Sequence, residues 1–87
     1  MTAEEFSDKL RKEGYSEFVL VEREAGMLDH HSHPFEAKAL ILDGEIRISV
    51  DGAETLYRQG DIFHLANGED HIEFYGPAGV RYLVGRR

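Results

Sequence analysis

The spacing of hydrophobic positions changes once along this chain, at Gly14. Before it, Ala3, Phe6 and Leu10 fall at i, i+3 and i+7, one apolar face of a helix. Thr2 and Glu5 have the spacing of a capping box, and two early acids suit the positive end of the helix dipole. Lys9, Arg11 and Lys12 lie near the other end, and Gly14 supplies a stop. The pattern predicts one helix over 3–13. After Gly14 apolar residues recur with the period of two that marks strands. Strands are predicted at 18–21, 37–42, 45–50, 53–58, 62–65, 71–75 and 80–84. Asp51-Gly52 is a two-residue hairpin signal, and Gly76-Pro77-Ala78-Gly79 reads as a loop. Short strands broken by turn signals at this spacing predict an all-β sandwich or closed barrel carrying a short N-terminal helix. Residues 1–15 are expected to form the helix and its packing segment, and 16–87 the barrel.

The strand 37–42 is apolar on both faces. Leu40 and Leu42 share one side, and Ala37, Ala39 and Ile41 the other. In a chain of 87 residues that predicts a second covering surface. The expectation is a copy of the same chain, giving a C₂ homodimer. The alternative is the N-terminal helix, through Phe6 and Leu10.

Composition narrows the function classes. A domain this short buries only about 60% of the surface of its unfolded chain. With no cysteine there is neither a disulfide nor a thiolate metal site to reinforce it. The net charge of −7 argues against a nucleic-acid surface, which needs clustered Lys and Arg. No apolar run approaches the roughly 20 residues that span a bilayer. No apolar h-region follows Met1, so the expected location is the cytoplasm, with no signal peptide.

Candidate chemistry lies in the histidines. His30, His31 and His33 fall within four positions. In an extended segment His31 and His33 share a face and His30 points away. Two imidazoles at i, i+2 can chelate one metal ion. His71, Glu73 and Tyr75 likewise share a face by period two. A glutamate inside a small barrel needs a partner. Glu73 is therefore a candidate catalytic base or a support for a ligand histidine. Its backbone sits about 7 Å from that of His71, which reads as too far for the two to chelate together. Tyr75 reads as a rim aromatic with its hydroxyl in water, His64 as a hydrogen-bonded structural residue, and His30 as exposed.

Gly26, His31-Ser32-His33-Pro34 and Asp43-Gly44, followed by Gly60-Asp61, Gly68, His71 and Tyr75, resemble the two sequence motifs of the cupin superfamily. Fifteen residues separate Gly44 from Gly60, close to the shortest spacing cupins use. The resemblance covers about residues 26–75. It implies a single-domain jelly-roll barrel, a double-stranded β-helix, with His31, His33 and His71 as metal ligands. The pattern departs from the family at position 37, where Ala37 stands in place of the usual ligand glutamate. Glu36 is one residue off and faces the other way in a regular strand. Ala66 replaces a proline and Tyr75 an asparagine.

The resemblance thus implies a three-histidine site for a divalent ion (Fe, Zn, Ni or Mn) without the usual acid. Some cupins of that kind are iron oxygenases acting on thiols or diketones. Three functions stay open: a mononuclear metal-dependent oxygenase acting on a small molecule, a non-catalytic module that binds a small ligand or metal, and a metal-free acid–base enzyme of the isomerase or epimerase type.

Overall fold

The computed structural model describes all 87 residues. Helix α1 spans Ala3–Lys12, and both halves of the predicted capping box between Thr2 and Glu5 form. Six strands follow: β1 Glu17–Arg23, β2 Gly26–His31, β3 Ala37–Val50, β4 Ala53–Arg58, β5 Ile62–Leu65 and β6 His71–Arg86. All pairings are antiparallel.

Two strands are longer than the sequence pattern predicts. The expected pairs 37–42 with 45–50, and 71–75 with 80–84, are each one continuous bent strand. Each crosses from one sheet to the other. The first half of β3 and the second half of β6 lie between β5 and β1; the remaining halves lie between β4 and β2. Two four-stranded sheets thus share their central strands and close over a common core, a jelly-roll barrel. The corner depends on glycine. Gly44 has φ +74°, and a Cβ there would sit 2.1 Å from the Gly79 carbonyl oxygen. Gly79, with φ +77°, is pressed equally hard against the Arg23 carbonyl. The β3–β4 hairpin turns through Asp51 and Gly52, both at positive φ, as the dipeptide predicts.

The inward face carries Ala37, Ala39, Ile41, Ile46, Ile48, Phe63, Leu65, Val80, Tyr82 and Val84 as one buried cluster. A second cluster lies outside the barrel wall, where Phe6, Leu10 and Tyr15 pack on Leu40. Phe6 and Leu10, one turn apart, are fully buried. The surface that covers Leu40 therefore comes from α1 of the same chain, the alternative to the expected homodimer. Leu42 is partly buried beside the same cluster. No helix is long and apolar enough to cross a membrane.

Candidate metal centre

His31 stands at the end of β2, after a register shift between Leu28 and His31 that turns its ring inward. His33 follows in the segment leading to β3, and His71 opens β6 opposite His31. The ring centroids of His31 and His71 are 4.1 Å apart, those of His31 and His33 5.0 Å, and those of His33 and His71 5.3 Å. The three predicted ligands are thus brought together. His30 points outward, where its Nδ1 meets Asp70 at 3.0 Å.

A fourth donor joins them. Glu73 Oε2 lies 2.9 Å from His31 Nε2 and 3.0 Å from His71 Nε2. One donor atom from each of His31, His33, His71 and Glu73 falls within 4.8 Å of all the others. The expectation that Glu73 is too distant to act with His71 is corrected here. Backbone separation along the strand does not limit two long side chains that lean together over the same face. The site has an acid after all, on β6 rather than at position 37. Ala37 faces inward as the spacing requires. Glu36 faces out, as expected, and holds His64 at 2.5 Å and Arg87 at 2.7 Å.

Hydrogen bonding fixes the tautomers. His31 Nδ1 lies 2.8 Å from the Asp29 carbonyl oxygen, and His71 Nδ1 3.0 Å from that of Glu69. A carbonyl oxygen only accepts, so each Nδ1 carries the hydrogen. In the neutral ring Nε2 then presents a lone pair. With both rings neutral, two nitrogen lone pairs and a carboxylate oxygen face one point. A divalent cation satisfies that arrangement, and outer hydrogen bonds of this kind are what orient metal-binding imidazoles. Burial, followed by the neighbouring His31 and His71, lowers the pKa of His33 and favours its neutral, ligating form. The residues present therefore fit a divalent ion held at about 2.0–2.2 Å from each donor.

The second oxygen of Glu73 is also engaged. Tyr75 donates its hydroxyl to Glu73 Oε1 at 3.1 Å. Tyr75 is therefore a support for the carboxylate rather than a rim residue with its hydroxyl in water, and burial with the Glu73 charge raises its pKa. Phe35 stacks on His33 with centroids 5.0 Å apart. A cavity of about 80 Å³ adjoins the cluster, bounded among others by His31, His33, Glu73, Ala37, Arg23 and Arg86. A wider open groove of about 490 Å³ lies over the corner at Glu22–Glu24 and Asp43–Gly44, but touches none of the histidines. Sequence reasoning missed the two arginines. Their parity on β1 and β6, in phase with inward Val21 and Val84, is the signal that places them on the barrel face.

Comparison with known proteins agrees with this architecture. Residues 17–82 match the Cupin domain family. No curated protein sequence matches the chain. The EutQ protein of Clostridium difficile superposes with a TM-score of 0.70 at 17% identity, over 88% of this chain and 55% of that one. The chain therefore spans little more than half of that relative. A cupin-2 domain containing protein from Shewanella frigidimarina superposes at 0.68 with 16% identity, over 94% and 92% of the two chains. The polyketide cyclase RemF from Streptomyces resistomycificus gives 0.64 at 25% identity, over 87% and 58%. With the family matched over most of its length and the barrel formed as the motifs imply, this chain belongs to the cupins.

Proposed function

We propose that this protein binds one divalent metal ion through His31, His33, His71 and Glu73, and that a small molecule reaches the ion from the adjoining cavity. The carrying observation is the convergence of His31 Nε2 and His71 Nε2 on one Glu73 oxygen, with a donor nitrogen of His33 within 4.8 Å of them all. Four donor atoms within 4.8 Å of one another favour the metal over the acid–base alternative, which needs only one histidine and Glu73. When bound, such an ion supplies Lewis acidity and, if it is iron, redox chemistry with dioxygen.

The chain's own residues do the rest. The carbonyls of Asp29 and Glu69 hold two imidazoles in their ligating tautomer. Tyr75 pins the carboxylate. Phe35, Phe63 and Leu65 give the cavity dry walls that strengthen polar contacts to whatever it holds. The similarity to RemF, named as a polyketide cyclase, supports a small organic molecule as the occupant. Turnover as an oxygenase is the reaction class proposed for the iron-loaded form. Oxygen uptake with a panel of thiols and diketones tests it.

Metal binding itself is tested first. Untagged protein titrated with zinc should take up one equivalent. His33→Ala removes one of four donors and should leave metal content near background after desalting. Retention of a full equivalent by the variant would overturn the assignment.

A further inference from the structure

We propose that Tyr82 sets the specificity of this barrel: its hydroxyl donates to a carbonyl oxygen of the small molecule, and so selects a ketone or aldehyde over the matching alcohol. The inference rests on the reading of the cavity as the ligand site. Tyr82 is an inward residue of β6, set between Val21 of β1 and Ile41 of β3 on the ladder. Phe63 meets its ring edge-on, with centroids 5.3 Å apart. Only 7% of the residue is exposed. Packing on three sides thus fixes the ring, and with it the place of the hydroxyl.

Tyr82 differs from Tyr75 in what its hydroxyl meets. Tyr75 donates to Glu73. Tyr82 has no such partner in the protein. Its ladder neighbours are aliphatic, and Glu73 is committed to His31, His71 and Tyr75. Nor is the hydroxyl sealed off. Arg86 Nε is the one side-chain polar atom that is both enclosed and unpaired, so the unpaired Tyr82 oxygen keeps an open surface. That surface belongs to the cavity beside the histidines, because Tyr82 borders this cavity and none of the wider grooves. Burial, followed by the Glu73 charge, raises its pKa, so the phenol keeps its hydrogen at neutral pH. A rigid donor open only to the cavity is satisfied by an acceptor placed there.

The other walls set the ligand class. Phe35, Phe63 and Leu65 are apolar. The bordering arginines only donate. His31, His33 and Glu73 belong to the proposed metal site. The cavity therefore offers hydrogen and no free acceptor. A carbonyl oxygen only accepts, so it meets Tyr82 with nothing left over. An alcohol brings a hydrogen of its own. Whichever partner then donates, one hydrogen stays unpaired, which is unfavourable away from water. Size agrees with a molecule of a few heavy atoms, since a cavity of about 80 Å³ is several times the ~10–15 Å³ a single water requires.

The test uses the full chain loaded with zinc, and butanone against butan-2-ol, which has nearly the same shape, followed by the amide chemical shifts of β5 and β6. Butanone should bind, and more tightly than the alcohol. Tyr82→Phe removes the hydroxyl alone and should weaken butanone by about 2- to 12-fold, the range of one hydrogen bond. The two probes should then bind alike, and zinc stoichiometry should be unchanged. Thermal unfolding separates a ligand contact from a structural role. A hydroxyl with no partner in the protein holds nothing together, so ligand-free Tyr82→Phe should melt at or above the parent. A lower Tm would overturn the inference. Equal binding of the two probes to the parent, no binding of butanone, or full butanone affinity in folded Tyr82→Phe would each do the same. If the parent takes up no zinc yet binds butanone through Tyr82, the metal reading fails and this one stands. If zinc binds and Tyr82 has no effect, the reverse holds.

Discussion

Glu73→Gln separates the stability of this site from its function, because the two should move in opposite directions. In the parent, Glu73 Oε2 sits 2.9 Å and 3.0 Å from two imidazole nitrogens, each of which carries a lone pair when its ring is neutral. A glutamine amide has nearly the same shape. Its nitrogen carries two hydrogens, one for each Nε2. Its oxygen remains available to the Tyr75 hydroxyl, now 3.1 Å from Oε1. The variant therefore satisfies without metal a cluster that the parent satisfies with one.

Two new neutral hydrogen bonds contribute about 0.5–1.5 kcal/mol each, so the metal-free variant gains about 1–3 kcal/mol. For a domain of 60–100 residues each kcal/mol moves Tm by about 4–8 °C. The expected rise over the metal-free parent is thus at least about 4 °C. Metal affinity should fall by at least about 10-fold, the lower end of what even an outer hydrogen-bonding partner contributes. Thermal unfolding in chelator measures the first quantity and zinc titration the second. A metal-free variant that melts at or below the parent would refute the tautomers argued from Asp29 and Glu69. Unchanged zinc affinity would remove Glu73 from the ligand set.

Two further expectations concern the rest of the barrel. Glu36 is held at about 2, well below its ordinary 4.5, first by Arg87 and then by His64. Its contribution to stability is complete above pH 4.5 and is lost as pH falls toward 2, so Glu36→Gln should flatten part of the acid-unfolding curve in that window. Glu5, lowered by its bonds to Thr2, titrates in the same direction and should keep the remainder of the slope. An unaltered curve would show that the Arg87–Glu36–His64 group adds nothing. Ala37→Glu places a carboxylate on the inward wall that also carries His31, His33 and Glu73 and should tighten zinc binding in a titration. Unchanged or weaker zinc affinity in the folded variant would count against position 37 lying within reach of the ion.

Much of this was legible in the pattern of residues, and the gaps have physical causes. The helix was legible because Thr2, Glu5, Phe6 and Leu10 act locally, within one or two turns. The outward placement of Glu36 followed from strand parity alone. The continuity of β3 and β6 did not. Asp43-Gly44 and Gly76–Gly79 look like turns in sequence, and only the close approach of Gly44 to Gly79 makes them corners of a running strand. The cover over Leu40 was also undetermined. Periodicity says that a side chain is buried, but not whether α1 or a second chain buries it. The role of Glu73 was misjudged for a related reason. Its backbone spacing from His71 was fixed by the strand, but the convergence of the side chains depends on β2 bringing His31 to the same point.

The move of the acid from β3 to β6 ties the metal and the cavity together. A metal site constrains where donor atoms meet, not which strand supplies them. In the proposed site Glu73 would supply the carboxylate that the family pattern places at position 37, with Tyr75 holding its far oxygen. The consequence appears on the wall that the acid has left. Ala37 is small and borders the cavity. A carboxylate at position 37 would occupy that space. With alanine there the space stays open, while Glu73 brings a carboxylate to the same three histidines from the other strand.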